Sequence, residues 1–78
     1  MTLRRRAWNT YCISGYTHQV GDDPRATGGV HLHQVRLSRS GWQRRTVDSN
    51  GRWASPGPIE GLPDDQGEAL FARAEAEL

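Results

Sequence analysis

The stretch SGWQRRTVDSNGRW, residues 40–53, contains the strongest local folding signal in the chain, the sequence Asp48-Ser-Asn-Gly51. Asparagine and glycine together tolerate the positive φ angles of a type I′ turn, whose twist matches that of two paired strands. We therefore predict a β-hairpin here. Its first strand covers Trp42 to Val47, and its second strand covers Arg52 to Ser55.

The length of the turn decides which side chains of this hairpin share a face. A two-residue turn at Asn50-Gly51 places Asp48 opposite Trp53 and Val47 opposite Ala54. One face then carries Trp42, Arg44, Thr46 and Trp53, and the other carries Gln43, Arg45 and Val47. A longer Asp-Ser-Asn-Gly loop reverses the grouping, and both arrangements fit the sequence. In either one, at least one tryptophan belongs to the core and some of the arginines face solvent.

Two further strands are predicted upstream, because aromatic and β-branched residues alternate with polar ones from Trp8 to His18 and from Val30 to Ser38. In the first of them, strict alternation places Tyr11 and Ile13 on one face and Cys12 on the other.

The segments between these strands are rich in turn-forming residues. Residues 20–29 are predicted to be a loop, and residues 38–41 a turn. The apolar phase of the second strand changes between Leu32 and Val35, which indicates a β-bulge near Gln34.

The chain is predicted to end in a helix. Pro56-Gly-Pro58 ends the last strand, because proline cannot donate to a strand ladder. Asp65 and Glu68 have the spacing of a capping box. The apolar residues of the helix fall on one stripe that should dock on the sheet with Phe71 inward: Leu70, Phe71, Ala74 and Leu78.

These elements make a single domain of the α+β class, a small antiparallel sheet of three to four strands with one C-terminal helix packed on it. Along the 78 residues we expect a basic N-terminal arm (1–6), antiparallel strands (7–56), a loop (57–63) and the helix (64–78). A domain of this size buries only about 60% of its unfolded surface, so its core is thin.

Charge divides the chain into a basic and an acidic part. Residues 1–52 hold nine arginines and three acids, a net charge of +6, whereas residues 53–78 have a net charge of −5. Such a chain has one region that attracts anions and another that repels them, unless the two neutralise each other across the fold.

The sequence has no feature of a secreted or membrane protein. Its only cysteine, Cys12, suits a reducing compartment. The basic start lacks the apolar run of a secretory signal, and no segment approaches the roughly 18 apolar residues of a membrane span. We expect a soluble, cytoplasmic protein that does not bind membranes, as a monomer or weak dimer.

Histidines are the residues most suggestive of chemistry. If His18 pairs with His31, then His33 shares their face, and three imidazoles approach the ligand set of a catalytic zinc. Their spacing matches no zinc signature, and each is explained as a solvent-facing strand residue, so we predict no tight zinc binding. Because no nucleophile with a fixed base and no nucleotide-binding glycine pattern is present either, we expect no catalytic residues, no cofactor and no enzyme activity.

Arginines are the residues expected to carry function. They are dense between residues 30 and 52, where only Asp48 opposes them, and they should form one partner-binding patch: Arg36, Arg39, Arg44, Arg45 and Arg52. Arginine is a preferred anchor at protein interfaces, so we predict a non-catalytic module that binds the acidic surface of a host protein or nucleoprotein complex. The alternative is a small nucleic-acid-binding module that uses basic strands and exposed aromatics, which the acidic helix disfavours.

In size and general build, a very short α+β chain without an active-site set, the protein resembles small phage or mobile-element inhibitors, anti-CRISPR proteins among them. The resemblance rests on no residue motif and assigns no functional residue. It implies an inhibitor that sterically blocks a host nucleic-acid-processing complex.

Overall fold

The computed structural model describes residues 3–18, 27–50 and 53–77. In these ranges the chain forms five strands and one helix: β1 (Asn9–His18), β2 (Thr27–Ser38), β3 (Gly41–Asn50), β4 (Trp53–Pro56), β5 (Glu60–Leu62) and α1 (Asp64–Ala76). All strand pairs are antiparallel in the order β1-β2-β3, and both β4 and β5 pair with the outer edge of β3. The predicted α+β fold, a small antiparallel sheet with a C-terminal helix, is therefore confirmed.

The bulge predicted in β2 near Gln34 lies instead in β1. Thr10 pairs with Gln34 and Cys12 pairs with His33, which leaves Tyr11 as the extra residue. Tyr11 is buried in the core and Cys12 packs against the same core. The strict alternation predicted for these two residues is therefore wrong, because a bulge interrupts the alternation of a strand.

The change of apolar phase in β2 has a different cause, which is burial on both faces of the strand. Leu32 pairs with Val47 on one face, whereas Val35 is fully buried on the other face, in the core cluster. β2 pairs with β3 without a register shift.

The turn predicted at residues 38–41 is confirmed. Ser38 pairs with Gly41, which has a φ of 117°, a conformation that favours glycine. The Ser38 hydroxyl donates to the carbonyl oxygen of Gly41 (2.8 Å) and accepts from the backbone N–H of Ser40 (3.2 Å).

The register between β3 and β4 differs from the prediction. Asn50 pairs with Trp53, so Asp48 lies opposite Ser55 instead of Trp53. This pairing brings Asn50 into the ladder, from which the predicted two-residue turn at Asn50-Gly51 would exclude it. Because the shift is two residues, Trp53 keeps its predicted face, shared with Trp42. The predicted turn residue Gly51 lies outside the described residues.

Residues 57–63, predicted to be a loop, contain the short strand β5, in which Leu62 pairs with Trp42 and Glu60 pairs with Arg44. Just before it, the backbone N–H of Gly57 donates to the carbonyl oxygen of Thr46 (2.8 Å). The part of the β3 edge that β4 does not cover still presents backbone donors and acceptors. The segment that follows β4 forms hydrogen bonds with them.

The helix begins at Asp64, and no side-chain cap bonds its first turn, so the predicted capping box of Asp65 and Glu68 is wrong. Pro63 stands at the N-cap in an extended conformation, and its carbonyl oxygen accepts the N–H of Gly67 (3.0 Å). Proline is suited to this position because it has no N–H that would need a partner, and both Asp64 and Asp65 fall in the first turn, where the helix dipole favours acids.

The core lies between α1 and one face of the sheet. Phe71 is directed inward as predicted, with its ring 5.8 Å from that of Trp42 between centroids. Gly67 packs directly on the Trp42 side chain. Leu78, which was predicted to belong to the apolar stripe of the helix, lies outside the described residues. The buried cluster consists of Tyr11, Val35, Trp42, Phe71 and Ala74.

The basic N-terminal arm is docked on this core. Leu3 packs against the buried cluster, and the carbonyl oxygen of Arg5 accepts the backbone N–H of Leu37 (2.7 Å). The Arg5 guanidinium lies 4.7 Å from the ring centroid of Phe71 and pairs with Glu68 at 3.6 Å. These contacts hold the start of the chain against the helix.

Candidate anion-binding face

One face of the sheet carries the candidate site. Side chains of β2 and β3 alternate, so the pairs Gln34–Arg45 and Arg36–Gln43 point away from Val35 and Trp42, on which α1 packs. We call this surface the helix-free face. In the described part of the chain it includes Ile13, Leu32 and Val47 toward one end and Trp8, Thr10, Gln34, Arg36, Gln43 and Arg45 toward the other.

Two arginines converge on one tryptophan at the polar end of this face. The guanidinium carbon of Arg36 lies 4.4 Å from the ring centroid of Trp8, and that of Arg45 lies 4.3 Å from it. Both distances are within the range of cation–π attraction. We call these three residues the arginine cluster.

Glutamines fix the orientation of both guanidiniums. Arg36 Nε donates to Gln43 Oε1 (3.0 Å), and Arg45 Nε donates to Gln34 Oε1 (2.9 Å). Gln34 is itself anchored, because its Nε2 donates to the hydroxyl of Thr10 (3.1 Å). With Nε engaged, each guanidinium still offers its two terminal nitrogens, which is the edge that binds carboxylate or phosphate end-on.

The arginine cluster has no internal counter-charge. The ion pairs among the described residues are Arg5–Glu68 and Arg44–Glu60, so neither Arg36 nor Arg45 is paired with a carboxylate there. Burial, followed by the positive charge of Arg36, lowers the pKa of Arg45 from its usual value. Two positive charges are thus held close together and partly shielded from water, an arrangement that an anion would stabilise.

The acidic residues that the structure describes lie on the opposite side of the sheet. We call the face on which α1 packs the covered face. In the described strands, Asp48 is an even number of residues from Trp42 and therefore lies on this face, where Glu60 also pairs with Arg44. The remaining acids of the described chain lie in or directly after α1: Asp64, Asp65, Glu68, Glu75 and Glu77. The described acids therefore lie on the side of the sheet that α1 covers, away from Arg36 and Arg45.

The structure brings only some of the predicted patch residues together. Arg36 and Arg45 meet at Trp8, and Arg39 lies exposed in the adjacent β2–β3 turn. Arg44 points to the other face, where its Nε donates to Glu60 Oε2 (2.8 Å), a hydrogen bond that raises the pKa of Arg44. Arg52 lies outside the described residues.

A shallow depression of about 390 Å³ extends the basic surface beyond the arginine cluster. It is lined by Arg6, Arg36 and Arg39 together with Leu37 and Ser38. Arg6 enters the site because the docked N-terminal arm runs beside the end of β2.

Sequence reasoning missed the residues that organise the arginines, namely Trp8, Gln34 and Gln43. Gln34 and Gln43 each lie opposite an arginine in the β2–β3 register. The turn predicted at residues 38–41 fixes this register, so it could have identified both glutamines. Counting outward from that turn pairs Arg36 with Gln43 and Gln34 with Arg45.

The histidines do not assemble as the zinc hypothesis required. His31 pairs with Ser14 and His18 pairs with Thr27, so His18 and His31 are not opposite each other. The side chain of His18 lies outside the described residues. Among the side chains that the structure describes, no group of three or more potential ligands could hold a metal ion.

His33 is engaged by two hydroxyls on the covered face. Its Nε2 lies 3.0 Å from the Ser14 hydroxyl, and its Nδ1 lies 3.5 Å from the Thr46 hydroxyl. A serine–histidine pair acts as a nucleophile when a carboxylate orients the ring through its second nitrogen. Here the hydroxyl of Thr46 occupies that place.

No helix in the described ranges has the length and apolar character needed to cross a membrane. Comparison of the chain with protein-family models, with curated proteins and with solved structures finds no match.

Proposed function

We propose that this chain is a non-catalytic protein-binding module that docks on an acidic partner surface through the polar end of its helix-free face. The supporting observation is the arginine cluster, in which Arg36 and Arg45 lie over Trp8 and their terminal nitrogens have no hydrogen-bond partner among the described residues. A carboxylate of the partner would bind between the two guanidiniums.

Pre-organisation makes this pair an effective anchor. An exposed arginine loses side-chain entropy when it is immobilised at an interface, a cost of about 0.5–1.5 kcal/mol per side chain. The glutamine hydrogen bonds and the Trp8 ring already restrict Arg36 and Arg45 in the free protein. Truncating an anchor of this kind can cost about 2 kcal/mol or more, roughly thirtyfold in affinity.

The proposed partner is a host protein or nucleoprotein complex in the cytoplasm, which the chain would block sterically as small phage or mobile-element inhibitors such as anti-CRISPR proteins do. A folded partner presents carboxylates at a few fixed points, and it can place its own basic groups near the acidic helix. A nucleic acid repeats its negative charge along its whole length and would meet both sides of a molecule with a net charge of only +1.

The test uses a double neutralisation, Arg36→Gln with Arg45→Gln, and a control with the same change of net charge. Arg5→Gln with Arg44→Gln also removes two positive charges, but both of these arginines are paired with carboxylates on the side of the sheet that α1 covers. Binding to poly-L-glutamate and to single-stranded and duplex DNA is measured by fluorescence anisotropy at low and moderate salt.

We expect the wild type and the control to bind the acidic polypeptide and the cluster variant to lose most of that affinity. Equal losses in both variants would show that only net charge matters, and the proposal would fail. Tight DNA binding with a steep salt dependence would favour the nucleic-acid alternative, because counterion release produces that slope. A pulldown from the host, with and without nuclease, would then identify the partner.

A further inference from the structure

In the described part of the chain, no other strand covers the outer edge of β1. Among the described residues β1 pairs only with β2, so its other edge presents free backbone donors and acceptors. Its ten residues include no aspartate, glutamate, lysine, arginine or proline. Natural proteins protect edge strands with such residues or with bulges. Within the described ranges, the only such feature of this edge is the bulge at Tyr11, and beyond it Ile13 is 62% exposed.

A groove runs beside this edge, between β1 and the C-terminal end of α1. It has a volume of about 430 Å³ and is lined by residues 10–13 of β1 and by Arg73 and Glu77. Arg73 and Glu77 are one helical turn apart and carry opposite charges. Neither takes part in an ion pair within the described ranges, and arginine N-terminal to glutamate is the less favourable order for a pair within one helix.

We propose that the β1 edge binds a second copy of this chain, with the two β1 strands antiparallel around a two-fold axis perpendicular to the sheet. A two-fold interface must be self-complementary. If one residue of the first copy contacts a different residue of the second, the same contact forms again with the two copies exchanged. The groove meets this requirement, because Arg73 of one copy can pair with Glu77 of the other and the reverse pair forms with it. An uncharged strand also meets its own copy without repulsion.

This pairing would make one continuous sheet, with both α1 helices on one side and both arginine clusters on the other. The proposal rests on β1 and the end of α1 and does not depend on what the helix-free face binds.

The first test places a charge on the edge. Sedimentation equilibrium of the full chain, with a reductant so that Cys12 cannot cross-link, should show a reversible dimer that Ile13→Lys converts to a monomer. The control is Ile59→Lys, at a position that is 50% exposed and outside β1, and it should leave the dimer intact. A wild type that stays monomeric up to submillimolar concentration, or a dimer that survives Ile13→Lys, would overturn the proposal.

The second test exchanges the charged pair. Arg73→Glu alone and Glu77→Arg alone should each weaken the dimer at least about tenfold, because like charges then face each other across the axis. The double variant, with both substitutions, should restore it. All of these residues are exposed, and circular dichroism checks the fold of each variant. A double variant no better than the single variants would refute the proposed two-fold arrangement.

Discussion

Replacing Gly67 by alanine tests how closely α1 packs on the sheet. At an exposed position inside a helix, this substitution would stabilise by about 1 kcal/mol through helix propensity. Here the new Cβ would overlap the Cβ, Cγ and Cδ2 atoms of Trp42. These atoms form the root of a side chain that is only 3% exposed and that contacts Phe71, so the indole cannot turn aside.

Overpacking a well-filled core costs about 1–3 kcal/mol, and an overlap this deep belongs at the upper end of that range. The clash therefore outweighs the gain in propensity, and we expect a net loss of about 1–2 kcal/mol. In a domain of this size the melting temperature should fall by roughly 4–8 °C for each kcal/mol.

Gly61→Ala is the matched control, because a Cβ at that exposed position would meet no atom within 4 Å. We expect its stability to stay within about 0.5 kcal/mol of the wild type. Urea unfolding followed by circular dichroism and by tryptophan fluorescence measures both variants. If Gly67→Ala were as stable as the wild type, the close approach of α1 to Trp42 described above would be wrong.

Two further substitutions probe the core and the surface. Phe71→Ala should cost about 3–5 kcal/mol and leave much of the protein unfolded at 37 °C, because Phe71 is buried at the centre of a thin core; a cooperative thermal transition near that of the wild type would contradict this. Glu60→Gln removes the ion pair between Glu60 and Arg44, whose two side chains are 57% and 48% exposed, respectively. Because exposed ion pairs contribute little, the free energy of unfolding in a urea titration should change by less than about 1 kcal/mol. A larger loss would show that the pair stabilises β5 strongly.

Local signals in the sequence predicted most of the architecture. The turn at residues 38–41, the strand character of its flanks and the inward face of the helix at Phe71 each depend on neighbouring residues. β5 was missed because Glu-Gly-Leu has no strand preference of its own and pairs only because the edge of β3 is available. In the sequence, Gly67 is recognisable only as a residue of low helix propensity. Its role, which is to let α1 approach Trp42 closely, depends on a distance in the fold.

The sequence predicted that arginines form the candidate site, but it did not predict which of them lie together. Arginine density pointed to residues 36–52, yet which arginines share a face depends on alternation along paired strands. Arg44 and Arg45 are neighbours in sequence and therefore lie on opposite faces of β3. The position of Trp8 over Arg36 and Arg45 depends on how β1 pairs with β2, across a sequence separation that no local pattern specifies.

The opposite edge of the sheet limits how far assembly can proceed. There, β4 and β5 have four and three residues, and they are separated by residues 57–59. Pro56 and Pro58 contribute no N–H along this stretch. A molecule whose two edges both accepted a strand would add copies without end and grow into a fibre. A molecule with a receptive edge on a single side stops at a closed pair, so in the proposed dimer the prolines of this segment would prevent the addition of further copies.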